Sequence, residues 1–304
     1  MSIIKVEKLR KRFGKFSALN GVDMELNKGE IYGFIGPNGA GKSTTIRILL
    51  GIMKATEGKA EIFGKDAWRD AVEIHKRLAY VPGDVNLWPN LTGGEVIDLF
   101  TDLRGGKRTK KREELLERFS LNPSKKCGTY SKGNRQKVAL VAAFASDAEL
   151  FIFDEPTSGL DPLMEQVFQE YVQEVKDAGK TVLLSSHILS EVEKLCDRVG
   201  IIRQGKIIES GTLNELRHLT RTHLLVETKQ RVTDLQAFSG VYELNQNDLT
   251  LSFQVDADKI DSVIRHISQF GIKKLESAPP TLEDLFMRHY ENKQSTDVGA
   301  HPNA

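Results

Sequence analysis

The residues in this chain best suited to chemistry begin with Gly36-Pro37-Asn38-Gly39-Ala40-Gly41-Lys42-Ser43-Thr44. The stretch matches the P-loop pattern G-x-x-x-x-G-K-[ST]. Its glycines let the backbone turn tightly and bring N–H groups around phosphate oxygens. Lys42 would set a point charge on the β- and γ-phosphates of a nucleotide, and the Ser43 hydroxyl would bind Mg2+. Further along, Asp154-Glu155 closes the apolar run Leu150-Phe151-Ile152-Phe153. Carboxylates at the carboxyl end of a strand sit where open α/β sheets bind ligands. There Asp154 would hold Mg2+, and Glu155 would orient and deprotonate an attacking water. Two solvated acids at a strand end would read the same in isolation; the P-loop upstream favours the catalytic assignment. His187 follows a third buried run, Thr181-Val182-Leu183-Leu184-Ser185, and reaches the same sheet edge, so contact with a phosphate is expected of it.

These groups need strands that end together and a helix that starts at the phosphates. Glu30-Ile31-Tyr32-Gly33-Phe34-Ile35 is apolar and partly β-branched, as a buried strand should be. Residues 44–50 follow as a helix whose positive dipole end faces the loop, and Gly51 stops it. Short strands are expected at 3–9 and 22–26, with Phe13 and a basic cluster, Lys8 to Arg12, in between. Phe13 on its own reads as a core or edge residue, and the basic cluster as a solvated face. A strand at 60–64, a helix over 68–77 and a strand at 78–81, ended by Pro82-Gly83, come next. Thr92-x-x-Glu95 is a capping box for a helix through residue 103. A basic loop over 105–112 leads into a solvent-facing helix; with no interleaved aromatic to stack a base, it does not read as an RNA site. Asp161-Pro162 supplies an N-cap and a first-turn proline for a helix to about residue 178, stopped at Gly179. Strands at 198–203 and 206–209 flank a hairpin-like turn at Gln204-Gly205.

Composition narrows the function. The chain has 304 residues, 39% hydrophobic and 28% charged, ordinary for one or two globular domains. A net charge of +1 gives no strong pull toward nucleic acid or acidic membranes. The two cysteines, Cys127 and Cys196, are in no metal or redox spacing, which fits reduced thiols in a cytosolic protein. The start lacks a leader-like apolar run, and nothing approaches the ~20 apolar residues of a membrane helix. Any membrane role is therefore expected to run through a partner.

Shortly before the Asp154-Glu155 strand stands Tyr130-Ser131-Lys132-Gly133-Asn134-Arg135-Gln136-Lys137. With Gly36–Thr44, Asp154-Glu155, Ser158-Gly159-Leu160-Asp161 and His187 in order, the chain resembles the nucleotide-binding subunit of an ABC transporter over roughly residues 3–219. Ser131 and Gly133 match the family's Leu-Ser-Gly-Gly-Gln signature; Tyr130, Lys132 and Asn134 depart from it. The resemblance implies a P-loop NTPase fold: an ABC cassette with a RecA-like core, an antiparallel β subdomain and a helical subdomain. It implies ATP and Mg2+, with Phe13 stacking on adenine and His187 contacting the γ-phosphate. It also implies that Ser131 and Gly133 complete the site of an opposite subunit, with Asp161 at the dimer interface. Where the family places a magnesium-contacting glutamine, this chain has Gly83, followed by Asp84; a glycine supplies no side-chain oxygen, which puts the coupling route in question.

Beyond residue 219 a β-α-β-β-α-β order suggests a small α+β ferredoxin-like domain over 220–291. Its elements are a strand at 223–228, a short helix at 233–238, strands at 241–245 and 249–255, an amphipathic helix over 257–270 and a strand at 272–278. A further helix is expected at 281–290 and a disordered tail over 292–304. Such an extension looks like the accessory domain of bacterial drug- and antibiotic-exporter ATPases. The whole then implies an ATPase on the cytoplasmic face of the plasma membrane. It would drive a separately encoded permease and pair with a second copy or a related subunit, with no nucleic acid expected. The alternative, a soluble ABC ATPase acting on ribosomes or DNA, is disfavoured by the single P-loop and the near-neutral charge.

Overall fold

A computed structural model describes residues 1–103, 110–218, 221–278 and 283. The chain divides into two compact units, Met1–Ser210 and Gly211–Ala304. The sequence reading sets the boundary at residue 219; the division between the compact units lies at Ser210, within the strand Lys206–Thr212 that precedes the helix at Leu213. The expected helix at 281–290, the tail and the basic residues 105–109 lie outside the described residues, apart from residue 283.

The first unit opens with a long antiparallel hairpin, β1 (Ser2–Phe13) and β2 (Phe16–Asn27). There follow β3 (Ile31–Ile35), α1 (Lys42–Leu49), β4 (Glu57–Ile62), β5 (Lys65–Asp66), α2 (Ala71–His75), β6 (Leu78–Val81), α3 (Gly93–Leu103) and α4 (Lys110–Arg118). Next come α5 (Lys132–Phe144), β7 (Leu150–Asp154), α6 (Pro162–Asp177), β8 (Thr181–Ser186), α7 (Leu189–Leu195), β9 (Arg198–Arg203) and β10 (Lys206–Thr212).

The central sheet has the order β10-β9-β3-β8-β7-β6. From β9 to β6 every neighbour is parallel. Strands in such a sheet are covered on both faces, which is why β3, β7 and β8 are unbroken runs of buried residues. Parallel pairing also brings the carboxyl ends of β3, β6, β7 and β8 to one edge. That edge receives Gly36, Pro82, Asp154 and Ser186. A second, antiparallel sheet, β2-β1-β4-β5, shares one core with the first through Ile4, Leu9, Leu26, Phe34, Ile46 and Leu183.

β1 and β2 run well past the expected 3–9 and 22–26. The basic residues from Lys8 to Arg12 continue the strand, paired across to β2 as far as Phe13 opposite Phe16, with register shifts that let the ribbon twist. α2 is shorter than the expected 68–77. Asp66 Oδ1 accepts the N–H groups of Trp68 at 3.0 Å and Arg69 at 2.8 Å, so the chain first winds through a turn and becomes helical only at Ala71.

The helical part braces β7. Phe144 at the end of α5 contacts Phe119, Phe151, Phe153, Phe168 and Tyr171, with ring centroids 5.3–6.2 Å apart. Such contacts fix orientation as well as burying area. They hold rigid the strand whose end carries the two acids. Both sequence-derived caps form. Thr92 and Glu95 exchange bonds at 2.7 and 3.2 Å, and Asp161 accepts from Met164 N–H at 3.0 Å.

The second unit contains α8 (Leu213–His218), β11 (Thr222–Thr228), β12 (Val241–Asn247), β13 (Thr250–Val255), α9 (Ile260–Ser268) and β14 (Ile272–Ala278). Its sheet order, β12-β13-β11-β14, with the described pairs antiparallel, is that of a ferredoxin-like unit. The short helix expected at 233–238 is a single 3-10 turn, Leu235–Ala237. Leu224, Val226, Phe253, Val263 and Ile267 form its core.

Candidate active site

The loop between β3 and α1 is shaped by its glycines. A Cβ on Gly36 would stand 2.3 Å from the Ile202 carbonyl oxygen, so only glycine fits. Gly41 has φ 118° and forms the N-cap of α1, where any side chain would be strained and would also meet Leu19. The first N–H groups of α1 have no partner within the helix, which suits them to an anion. Thr45 fastens the turn by donating its hydroxyl to the Gly41 carbonyl at 3.0 Å. Asn38 and Gly39 stand exposed on the rim, Ala40 is buried beneath them, and Ser43 and Thr44 are half-buried.

Lys42 is 5% exposed, and its ammonium donates to the Gly36 carbonyl at 2.7 Å. It also lies 3.5 Å from Glu155 Oε1. Glu155 Oε2 lies 3.4 Å from His187 Nδ1. Residues remote in sequence are thus gathered at one sheet edge: lysine, glutamate, histidine. Glu155 has φ 51°, a left-handed conformation that costs a non-glycine residue about 1–3 kcal/mol and collects at functional sites. Its N–H donates to the Ser185 carbonyl at 3.0 Å, which holds that conformation. Asp154 is 7% exposed and accepts from the Ser185 hydroxyl.

A cleft of about 240 Å3 runs from the loop to the hairpin, lined by Asn38, Lys42, Ser43, Thr44, Glu155, Phe13 and Phe16 among others. Phe13 and Phe16 are each about half exposed and pair across the hairpin. Phe16 was missed from sequence; its signal is cross-strand pairing with Phe13, visible only once the hairpin register is known.

Ser131, Gly133 and Asp161 are not brought to this cleft. Ser131 caps α5 by accepting from Asn134 N–H at 3.3 Å, and Lys132 donates to the Ser158 hydroxyl at 2.8 Å. A Cβ on Gly133 would stand 2.4 Å from the Gly159 carbonyl oxygen, so the signature turn is pressed against the segment leading to α6. Asp161 is exposed and serves as the cap of α6. The turn after β6 does touch the acids: a Cβ on Gly83 would lie 2.9 Å from the Asp154 carbonyl oxygen and 3.4 Å from Glu155 Cβ. Asp84 is exposed.

Residues 19–158 match the ABC transporter family model, and residues 211–290 match the C-terminal domain of DrrA1-3-like ATP-binding proteins. The bacitracin transport ATP-binding protein BcrA of Bacillus licheniformis is 31% identical, over 94% of this chain and 97% of its own. The chain belongs to the ABC transporter ATP-binding proteins. Daunorubicin resistance ATP-binding protein DrrA3 of Streptomyces coeruleorubidus is also 31% identical, over 93% of this chain and 94% of its own. Among solved structures, the ATP-binding subunit of an ABC transporter aligns at 34% identity with a TM-score of 0.66, over 71% of this chain and 92% of that one. A dimeric post-hydrolysis cassette bound to ADP and Pi aligns at 25% identity and 0.63, over 69% and 98%. As a member of this family the chain is a nucleotide-binding ATPase with the cassette fold expected from its motifs, of the kind that pairs as dimers and works with membrane permeases. Among the described residues no helix is long and apolar enough to cross a membrane.

Proposed function

We propose that this ABC ATPase powers efflux of a drug, antibiotic or other lipophilic compound through a separately encoded permease at the cytoplasmic face of the plasma membrane. The relatives named for bacitracin transport and daunorubicin resistance align end to end with the chain, C-terminal unit included, which supports export over action on ribosomes or DNA.

The observation that carries the mechanism is the split in the site. Lys42, Glu155 and His187 converge on the P-loop cleft, while Ser131 and Gly133 do not line it: Ser131 caps α5, and Lys132 and Gly133 hold against Ser158-Gly159. One chain then makes half of each site, and a second copy or a related subunit brings its Ser131 and Gly133 to the phosphates. Asp161 lies on that interface. Phosphoryl transfer is mostly positioning and charge stabilisation. Lys42 and the α1 N-terminus balance charge on the phosphates, Glu155 takes the proton of the attacking water, and His187 fixes Glu155 on its open side. Phe13 carries the adenine, with Phe16 beside it. Asp154 and Ser43 offer hard oxygen donors, a carboxylate and a hydroxyl, that suit Mg2+. The buried Asp154 carboxylate, oriented by Ser185, is already fixed for that task. The ion would add positive charge at the phosphates.

An apolar groove of about 770 Å3 between β6 and α3 supports the permease partner. Ile52, Val72 and Leu103 line it and are each more than 60% exposed. An amphipathic helix from a permease's cytoplasmic loop suits such a surface. β6 leads from it directly to Pro82-Gly83 and so to Asp154, giving a route that uses backbone contact where a glutamine side chain is missing.

Glu155→Gln tests the reading. ATP binding should persist, hydrolysis should slow about 10²–10⁴-fold, and the variant should accumulate as a nucleotide-dependent dimer in size-exclusion chromatography. Wild-type turnover, or a monomer in saturating ATP and Mg2+ with and without permease, would count against it.

A further inference from the structure

Among the described residues, two buried side-chain oxygens have no hydrogen-bond partner: Gln136 Oε1 and Glu191 Oε1. Glu191 lies on α7, immediately after the segment that carries His187, and is only 4% exposed. Its second oxygen, Oε2, accepts from the Ser186 hydroxyl at 2.9 Å. The same hydroxyl accepts the Ile188 N–H at 3.0 Å. A serine hydroxyl has one proton to give, so donating it to Glu191 leaves its lone pairs for the Ile188 N–H. The residues on both sides of His187 are thus tied to one carboxyl. His187 is itself half exposed, and its ring sits 3.4 Å from Glu155 Oε2.

We propose that Glu191 is a positioning residue that sets the loop around His187 and so aims the imidazole at Glu155. The inference rests on the role given above to His187. Charge buried without full pairing is disfavoured. Burial accordingly pushes the Glu191 pKa up; Glu165 on α6 adds to the rise, while the Ser186 and Thr157 hydroxyls and His187 oppose it. The buried Cys196 thiol, just past α7, faces the same carboxyl. Without the carboxyl, the Ser186 hydroxyl would lose its acceptor on one side of His187 and the Ile188 N–H its fixed partner on the other, and the imidazole would lose its aim at Glu155.

The test compares Glu191→Ala, Glu191→Gln and His187→Ala in the full chain assembled with its permease. ATPase kinetics are followed, with fluorescent-nucleotide affinity and melting temperature as folding controls. Glu191→Ala should lower kcat by roughly 10- to 100-fold with KM for ATP little changed, the pattern of a misplaced group rather than a lost binding contact. Glu191→Gln keeps a side-chain oxygen that accepts from Ser186, so it should restore most of kcat. If Glu191→Ala does not fold, Glu191→Met, close in volume and without an oxygen acceptor, takes its place. Wild-type kcat in a folded Glu191→Ala or Glu191→Met would overturn the proposal, as would a Glu191→Gln variant no faster than the variant lacking the acceptor. A slowed His187→Ala beside an unchanged Glu191→Ala sinks only the Glu191 assignment, whereas an unchanged His187→Ala sinks the role of His187 itself.

Discussion

The carboxyl edge of the central sheet and the core of the C-terminal unit are built on opposite terms. At the sheet edge Lys42, Asp154, Ser185, Ser186 and Glu191 are all buried, in close company, with one oxygen left unsatisfied and one backbone conformation strained. In the C-terminal unit the buried polar side chain among the described residues is Thr228, and its hydroxyl reaches the Gln230 and Leu249 carbonyls at 2.7 and 3.2 Å. The rest of that core is Leu, Val, Ile and Phe. Charge out of water is costly and is kept where it changes a reaction; apolar packing is kept where only shape is needed. The first region should therefore respond to substitution in its chemistry and the second in its stability.

The largest expected effect tests the second half of that contrast. Phe253 is fully buried in the C-terminal core, and Phe253→Ala should cost about 3–5 kcal/mol of that unit's stability. Calorimetry should show the loss, while nucleotide affinity stays within about two-fold of wild type, since Phe253 is enclosed in the core of its own unit. A matching fall in ATP affinity would mean that the two units are thermodynamically one.

Ser185→Ala tests the first half. Ser185 is fully buried, and its hydroxyl donates to Asp154. Removing a partner that orients a metal ligand typically costs about 10–100-fold in metal affinity. The Mg2+ concentration that half-saturates ATPase activity should rise by that factor, with the fold intact by circular dichroism. An unchanged Mg2+ requirement would mean that Asp154 is held by the strand alone or is not the Mg2+ ligand proposed above.

Phe13→Ala should be milder. Stacking of a base on an aromatic contributes about 1–3 kcal/mol, and the exposure of Phe13 favours the low end, about five-fold in Kd for ATP. Phe13→Ala combined with Phe16→Ala should weaken binding further if both rings face the base. Equal affinity of single and double variants would remove Phe16 from the site.

What the sequence displayed of this contrast follows from how local each feature is. The Thr92–Glu95 and Asp161 caps and the Gln204-Gly205 turn, both of its residues at positive φ, depend on neighbours within four residues and are legible from spacing. The P-loop glycines are legible from their fixed pattern, although the contacts that demand glycine at Gly36 and Gly41 come from distant Ile202 and Leu19. The strands ending at Asp154 and Ser186 are legible because burial on both faces leaves an unbroken apolar run. Phe16 is a different matter, since its place depends on the register of a hairpin that the basic residues of β1 disguise as a loop. Nor does Glu191 stand out. A glutamate on a short helix beside Glu193 and Lys194 reads as a solvated face, and its burial comes only from packing of distant elements around it. The asymmetry of Ser131 and Gly133, present in sequence but not lining the cleft of their own chain, is a property of topology and entered the sequence reading only through family resemblance.

The smallest effect asks whether the C-terminal unit truly depends on packing rather than on its surface charge. Asp261 and Arg265 form an i, i+4 pair on α9 with oxygen–nitrogen separations of 3.0–3.1 Å, and both side chains are 78% exposed. Water screens such a pair and ordering two long side chains costs entropy, so Asp261→Asn should change stability by no more than about 0.5 kcal/mol. Added salt should shrink even that difference, because the Debye length falls below the reach of an exposed pair. The opposite face of the same helix carries Val263 and Ile267 into the core, so one helix offers both tests. Were Asp261→Asn to destabilise the unit as much as Phe253→Ala, surface electrostatics would be holding the ferredoxin-like sheet together, and the division between a charged edge that reacts and an apolar core that supports would not stand.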